Sequence, residues 1–152
     1  MRSTIIVGVV NIFVISVALS GCNSSRIETY GEIDYSDKSV TVPPGNGYMV
    51  GELKKRLRDS GWKLVVDGGP RRIQGSVGDK INIDSYNTFH TRYRLLVDAS
   101  WFDVCFNGSP AVKYNLSFID NKTGEEVLAQ SGRDCENRAS DKFMSFIEKG
   151  HQ

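Results

Sequence analysis

The chain has 152 residues, which is too short for several domains. Of these residues, 39% are hydrophobic and 24% are charged, a composition typical of one globular domain. Its 19 Lys and Arg residues against 18 Asp and Glu residues give a formal net charge of +1. Such a balance provides no overall field to attract nucleic acid, so no nucleic-acid partner is expected.

The first 21 residues have the three-part pattern of a signal peptide. Arg2 provides the positive start, an apolar run extends from Ile5 to Leu19, and small residues precede Cys22. One alternative is a transmembrane anchor, but that needs about 20 apolar residues and this run is shorter. A second alternative is an ordinary signal peptide that is cleaved elsewhere.

The residues Leu19-Ser20-Gly21-Cys22 resemble the lipobox of bacterial lipoproteins. The resemblance implies that the chain is cut before Cys22 and that Cys22 carries fatty acyl chains such as palmitate. The family carries three such chains, and more than one is needed for stable anchoring in a membrane. Asn23 follows the cysteine where an Asp would direct the protein to the inner membrane. The resemblance therefore implies the periplasmic face of the outer membrane rather than the inner membrane.

Two further cysteines, Cys105 and Cys135, remain once Cys22 carries the lipid. An exported protein meets a compartment in which disulfides persist, so we expect these two residues to form a bridge. A bridge that closes a loop of about 30 residues stabilises the folded state by roughly 3–4 kcal/mol in the chain-entropy model. The alternative is a pair of buried free thiols.

Residues 22–38 are polar and are predicted to form a lipidated tether, followed by a single domain over residues 39–150. The domain begins with a strand over Ser39–Val42, which stops at two prolines. Apolar residues at helical spacing predict a helix from Tyr48 to Ser60 with Gly61 as its C-terminal cap. A second strand follows over residues 62–66. Strand, helix and strand with short links predict a βαβ unit.

The second half is rich in strand signals separated by turns. The longest runs from Thr91 to Phe106, and its incomplete alternation predicts a central strand that is covered on part of its second face. Asn107-Gly108 predicts a hairpin, and residues 111–119 and 125–132 complete an antiparallel meander. A final helix with Asp134 as a capping residue is predicted after the last strand.

These elements predict an α+β fold, a two-layer sandwich with an antiparallel-rich sheet, two helices on one face and a βαβ unit at its N-terminal end. This order of elements resembles the small periplasmic domains of outer-membrane lipoproteins such as those that assist lipopolysaccharide assembly. Similarity of fold does not determine function.

The candidate surface for a protein partner comprises Tyr86, Phe89 and Trp101. Tyr86 and Phe89 lie in the polar, irregular segment between Gly78 and His90, and loops that carry aromatic residues often bind partners. The alternative is a long connection in which Tyr86 and Phe89 cover the edge of the core.

The sequence contains no recognisable catalytic motif, metal-ligand spacing or phosphate-binding loop, so neither a metal nor a cofactor is expected. The first hypothesis is a non-catalytic, lipid-anchored envelope protein that acts as a binding or scaffold module for a protein partner. The alternative is a membrane-anchored inhibitor or immunity protein against a toxin or a lytic enzyme. A third hypothesis, an envelope hydrolase, would use carboxylates such as Asp79, Asp84, Asp98 or Asp103.

Overall fold

The computed structural model describes residues 24–68 and 90–149, together with the backbone of residues 71–72 and 84–85. The strands within these ranges are β1 (Ser24–Thr29), β2 (Ser39–Val42), β3 (Lys63–Val66), β4 (Arg71–Arg72), β5 (Asp84–Ser85), β6 (Tyr93–Val104), β7 (Pro110–Asp120) and β8 (Glu126–Cys135). The helices are α1 (Val50–Asp59) and α2 (Glu136–Glu148).

Six strands form one mixed sheet in the order β1-β8-β7-β6-β2-β3. Neighbouring strands from β1 to β6 are antiparallel, whereas β2 is parallel to both β6 and β3. Strands β4 and β5 form a separate two-stranded ribbon. The predicted α+β fold with an antiparallel-rich sheet and two helices is confirmed.

The predicted βαβ unit is also present, formed by β2, α1 and β3. Helix α1 buries Leu53 and Leu57, which its 3.6-residue period places on one face. Gly61 follows the helix with a φ of +82°, a conformation that glycine adopts without steric cost. The chain therefore turns sharply and returns into β3, next to β2.

The core lies between the sheet and the two helices, and aromatic rings dominate its centre. The rings of Tyr93 and Phe118 stack with centroids 4.9 Å apart, and Trp62 meets both edge-on at 5.7 Å. Phe143 of α2 reaches the same cluster, 5.9 Å from Phe118. Each pair adds roughly 0.5–1.5 kcal/mol to the effect of burial. These contacts join α2, and the link between α1 and β3, to the meander.

Strand β1 differs from the prediction of a flexible tether over this part of residues 22–38. All six of its residues pair with β8, from Ser24 opposite Arg133 to Thr29 opposite Leu128. Its sequence has little apolar character, but Ile27 packs against the core. The ladder is therefore the main reason that these polar residues form a strand, and a ladder partner about 100 residues away gives no local signal.

The prediction that Asp134 caps the last helix is wrong. Cys135 holds the N-cap position of α2, and no side chain caps it. Asp134 belongs to β8, where its buried carboxylate lies 2.7 Å from Lys142 Nζ and accepts the backbone N–H of Cys135. It thus ties the end of the sheet to α2.

Arg92 fixes the segment that follows β1 onto the sheet. Its guanidinium group donates to Asp120 at 2.7 Å and to Asp34 at 3.1 Å. Burial raises the pKa of the Asp120 carboxyl, but hydrogen bonds from Arg92 and from the backbone N–H of Lys122 outweigh it and hold that pKa below its ordinary value. Asp120 is therefore more acidic in the folded protein than in the unfolded chain.

Candidate functional site

The structure describes three of the six residues that the sequence singled out. Cys22, Tyr86 and Phe89 lie outside the described residues. Trp101 lies near the end of β6, and 53% of its surface is exposed. Cys105 and Cys135 lie at the same end of the sheet and are joined in a disulfide bond, with a Cα–Cα distance of 6.0 Å.

The tip of the β6–β7 hairpin carries four exposed large apolar side chains, which we call the hairpin tip: Trp101, Phe102, Val104 and Phe106. The sequence predicted that the second face of this strand would be covered in part, but Phe102 on that face is exposed, as are the other three side chains. The helices pack against the face of the sheet that carries Tyr93 and Leu95, so neither of them covers the face that carries Phe102. On their own face the helices end short of the tip, because the 12 residues of β6 extend about 40 Å whereas the 13 residues of α2 extend only about 20 Å. The signal was available in Asn107-Gly108, which places these residues next to a turn.

The hairpin tip is apolar on both faces of the ribbon. Trp101 lies opposite Val112, which the helices bury, and Val104 lies opposite Pro110 on the same side. Phe102 lies on the other side, where the guanidinium group of Arg133 stands 5.8 Å from the centre of its ring. A register shift between Trp101 and Asp103 separates the two sets.

The disulfide bond braces this tip. Cys105 follows β6 directly, and Cys135 is the last residue of β8 and the N-cap residue of α2. The bond therefore links the tip of the hairpin to the start of the last helix across β7. The tip is held in place by a covalent bond as well as by the ladder.

The described chain begins at the same end of the sheet. Ser24 pairs with Arg133, Arg133 with Lys113, and Lys113 with Ser100. These four residues form one row across the sheet, about 14 Å wide at the ordinary strand spacing. The hairpin tip extends beyond this row, on the side from which the chain enters β1.

The opposite edge of the sheet forms a second exposed surface. Among the described strands, β3 has a neighbour on one side only, β2. Val65 and Val66 are 39% and 56% exposed. The backbone N–H groups of Lys63 and Asp67 donate toward β2, to the carbonyls of Lys38 and Val42, at 2.8 and 2.9 Å. Because alternate residues of a strand face the same neighbour, the backbone groups of Leu64 and Val66 face away from β2.

The two surfaces are well separated. Val66 pairs with Val42, and β2 is in register with the start of β6, where Val40 pairs with Tyr93. Trp101 is eight residues further along β6 than Tyr93, about 26 Å at the rise of an extended strand. Trp101 therefore does not share a surface with β3.

A cleft of about 400 Å³ lies at the end of the sheet opposite to the hairpin tip. Its walls come from the segment after β1, the start of β8 and the last turns of α2, with Ile33, Tyr35, Val127 and Phe146 among the lining residues. Val127 belongs to the core, and the hydroxyl group of Tyr35 donates to the carbonyl of Ile147 at 2.7 Å. The lining is thus largely part of the packing of α2.

The carboxylates of the hydrolase hypothesis are spread out where the structure describes them. Asp98 and Asp103 are both exposed on β6. Asp98 pairs with Asn115, and Asp103 pairs with Ala111. The side chains of Asp79 and Asp84 lie outside the described residues. In residues 24–68 and 90–149, no three His, Cys, Asp or Glu side chains are placed to hold a metal ion. Neither helix there combines the length and apolar character needed to span a bilayer.

No protein-family model matches the chain. No curated protein matches it either. Two solved structures of similar fold are PelC dodecamers from Paraburkholderia phytofirmans. The one in space group P6 has a TM-score of 0.47 and 16% identity, covering 84% of this chain and 93% of that one. A variant in space group C2 has a TM-score of 0.44 and 17% identity, covering 84% and 92%. A likeness at this level carries no information on function, which has to be inferred from the chain's own residues.

Proposed function

We propose that this chain is a non-catalytic, lipid-anchored protein of the bacterial cell envelope that binds a protein partner through its edge strand β3. The lipobox-like residues before Cys22 support the anchor, and Asn23 supports the periplasmic face of the outer membrane. The observation that carries the binding function is the edge of β3 that faces away from β2, on which none of the described strands pairs. Along this edge, hydrogen-bonding backbone groups of Leu64 and Val66 lie next to the exposed side chains of Val65 and Val66.

The mode of binding is the addition of a strand from the partner to the sheet. A partner strand next to β3 pairs with the outward backbone groups of Leu64 and Val66. Each hydrogen bond formed contributes about 0.5–1.5 kcal/mol, and the side chains of Val65 and Val66 add apolar contact. Specificity comes from the partner side chains that meet these valines on the two faces of the sheet.

The test of the binding mode uses Val66→Pro. Proline removes the outward N–H of residue 66, while the ladder to β2, which uses residues 63, 65 and 67, stays intact. Val66→Thr is the matched control, because it keeps the N–H and the β-branched shape. We expect Val66→Pro to weaken partner binding about tenfold or more and Val66→Thr to leave it nearly unchanged.

The partner is identified in cells with a photo-crosslinking residue in place of Val65. We expect a discrete adduct with one envelope protein, and no such adduct when the same residue replaces Lys55, which is exposed on α1. Equal adducts at both positions, or an adduct that survives Val66→Pro, would contradict binding at this edge. An adduct with an incoming toxin or lytic enzyme, together with sensitivity to it on deletion, would favour the inhibitor hypothesis.

The anchor is tested separately by intact mass and membrane fractionation of the wild type and Cys22→Ala. The proposal expects a lipidated wild type in the outer-membrane fraction and an unlipidated variant that leaves it. A wild type that is soluble and cut elsewhere would overturn the anchor and leave the test at β3 unaffected.

A further inference from the structure

We propose that the hairpin tip inserts into the headgroup region of the bilayer that holds Cys22. This inference rests on the proposed function to the extent that it takes Cys22 as lipidated. It adds a second, non-covalent contact with the membrane and gives the anchored domain a fixed orientation.

Apolar side chains surround the end of the ribbon. Trp101 and Val104 project from one face, Phe102 from the other, and Phe106 is fully exposed at the turn. A protein partner covers one face of such a ribbon and leaves the other in water. A lipid medium surrounds a projecting tip and covers both faces at once. The two-sided pattern therefore favours lipid as the occupant.

The chain enters the sheet at the end that carries the hairpin tip. Ser24 lies in the same row of the sheet as Ser100, directly behind the tip. Cys22 is two residues before Ser24, a distance of at most about 7 Å along the chain. A short connection of this kind keeps the end of the sheet that carries the hairpin tip close to the lipid. It does not allow β3, at the far end of the sheet, to approach the same surface.

The side chains at and behind the tip have a chemistry that suits the surface of a membrane. Tryptophan is enriched where membranes meet water, because its ring is apolar and its N–H is polar. Lys113 and Arg133 are exposed and lie opposite each other in the row behind the tip, where phosphate groups of anionic lipids complement them. Asp103 is charged and exposed, which limits the insertion to the depth of the headgroups.

The backbone of the tip is compatible with this shallow depth. The N–H of Cys105 bonds to the carbonyl of Ser109 at 2.8 Å, and the N–H of Gly108 bonds to the carbonyl of Cys105 at 2.8 Å. The N–H of Val104 bonds to the carboxylate of Asp103 at 2.8 Å. Backbone donors that already have partners lose little when they leave water. The disulfide bond further keeps the tip from unfolding on contact with lipid.

The experiment uses the mature lipidated protein with Trp62→Phe, which leaves Trp101 as the only tryptophan. The protein is reconstituted into vesicles of phosphatidylethanolamine and phosphatidylglycerol, with and without bromine atoms on the acyl chains. We expect brominated lipid to quench Trp101 emission and the membrane to shield it from aqueous iodide. The Trp101→Phe variant, which keeps the buried Trp62 as its only tryptophan, serves as the reference that neither quencher reaches.

Two results would overturn the inference. If iodide still quenches Trp101 emission when the protein is bound to vesicles, the tip is in water. This result would leave the proposal of the lipid anchor unaffected. Trp101 that is shielded from iodide but not quenched by bromine would show that a protein, either a second copy or another chain, covers the tip.

A second measurement separates the tip from the anchor. Partition of the unlipidated Cys22→Ser protein onto the same vesicles isolates the contribution of the tip. We expect Phe106→Ser to lower the partition coefficient about tenfold, because it removes a fully exposed ring from the contact. Phe106→Leu should lower it far less. Tyr30→Ser, which removes an exposed ring at the far end of β1, is the matched control and should leave it unchanged. Equal effects of the serine variants would contradict a specific role of the tip.

Discussion

The disulfide bond offers the sharpest test of how this small domain is stabilised. The Cys105–Cys135 bond closes a loop of 30 residues. The chain-entropy expression for a loop of this length gives about 12 cal/mol/K, or about 3.6 kcal/mol of free energy of unfolding at 25 °C. With a urea m-value of about 2 kcal/mol/M, reduction should lower the unfolding midpoint by about 1.8 M.

The assay is urea unfolding of the mature protein with Cys22→Ser, in the presence and absence of a reductant. Because this variant keeps only Cys105 and Cys135, the reductant reports on the bridge alone. The control is the variant that also carries Cys105→Ser and Cys135→Ser, whose midpoint should not respond to reductant. Hydrogen exchange should rise first at the hairpin tip, since the bond holds it to the start of α2.

A loss of less than about 1 kcal/mol on reduction would refute this reasoning. It would mean that the unfolded chain is already compact around these residues, so that closing the loop removes little entropy. Intact mass under non-reducing conditions, lower than that of the reduced protein by two hydrogen atoms, establishes first that the bond is present.

Three further predictions concern the fold. Phe143→Ala should lower the free energy of unfolding by about 3–5 kcal/mol, and Phe146→Ala by clearly less because its ring is only partly buried; urea unfolding measures both. The pKa of Asp120 is lower in the folded protein than in the unfolded chain, so ionised Asp120 stabilises the wild type above the unfolded pKa, and this stabilisation is lost as the pH falls. In Asp120→Asn, the free energy of unfolding should therefore fall less steeply between about pH 5 and pH 3. Urea unfolding across this range measures the difference. Gly132→Ala should loosen β1, because its Cβ would clash with the carbonyl oxygen of Ser24. Faster hydrogen exchange confined to Ser24–Thr29 would support this, and unchanged exchange would contradict it.

The sequence predicts those elements of the fold in which the local residue pattern agrees with the tertiary structure. Ser39–Val42 was predicted with the bounds that the structure shows, because β-branched residues before two prolines leave few alternatives. The turn at Asn107-Gly108 gave the hairpin and hence the meander. The pairing of Cys105 with Cys135 followed from the count of cysteines in an exported chain.

The candidate surfaces were less accessible from sequence. The sequence predicts Trp101 as a partner residue and cover on part of the second face of β6, whereas Phe102 on that face is exposed. Whether an apolar strand residue is covered depends on how far the helices extend over the sheet, and no window around that residue contains this information. The position of β3 at the edge of the described sheet likewise depends on which strands pair with one another.

The amino-acid sequence by itself determined the class of fold, the order of the elements, the covalent bridge and the expectation of a lipid anchor at Cys22. Each of these follows from local propensity, from turn chemistry or from a count of residues. The tertiary structure alone decided that Ser24–Thr29 joins the sheet, and that the chain therefore enters at the end that carries the exposed hairpin tip. The physical reason is that strand pairing and coverage are relations between segments about 100 residues apart, and the free energy of such contacts is not encoded in either segment alone.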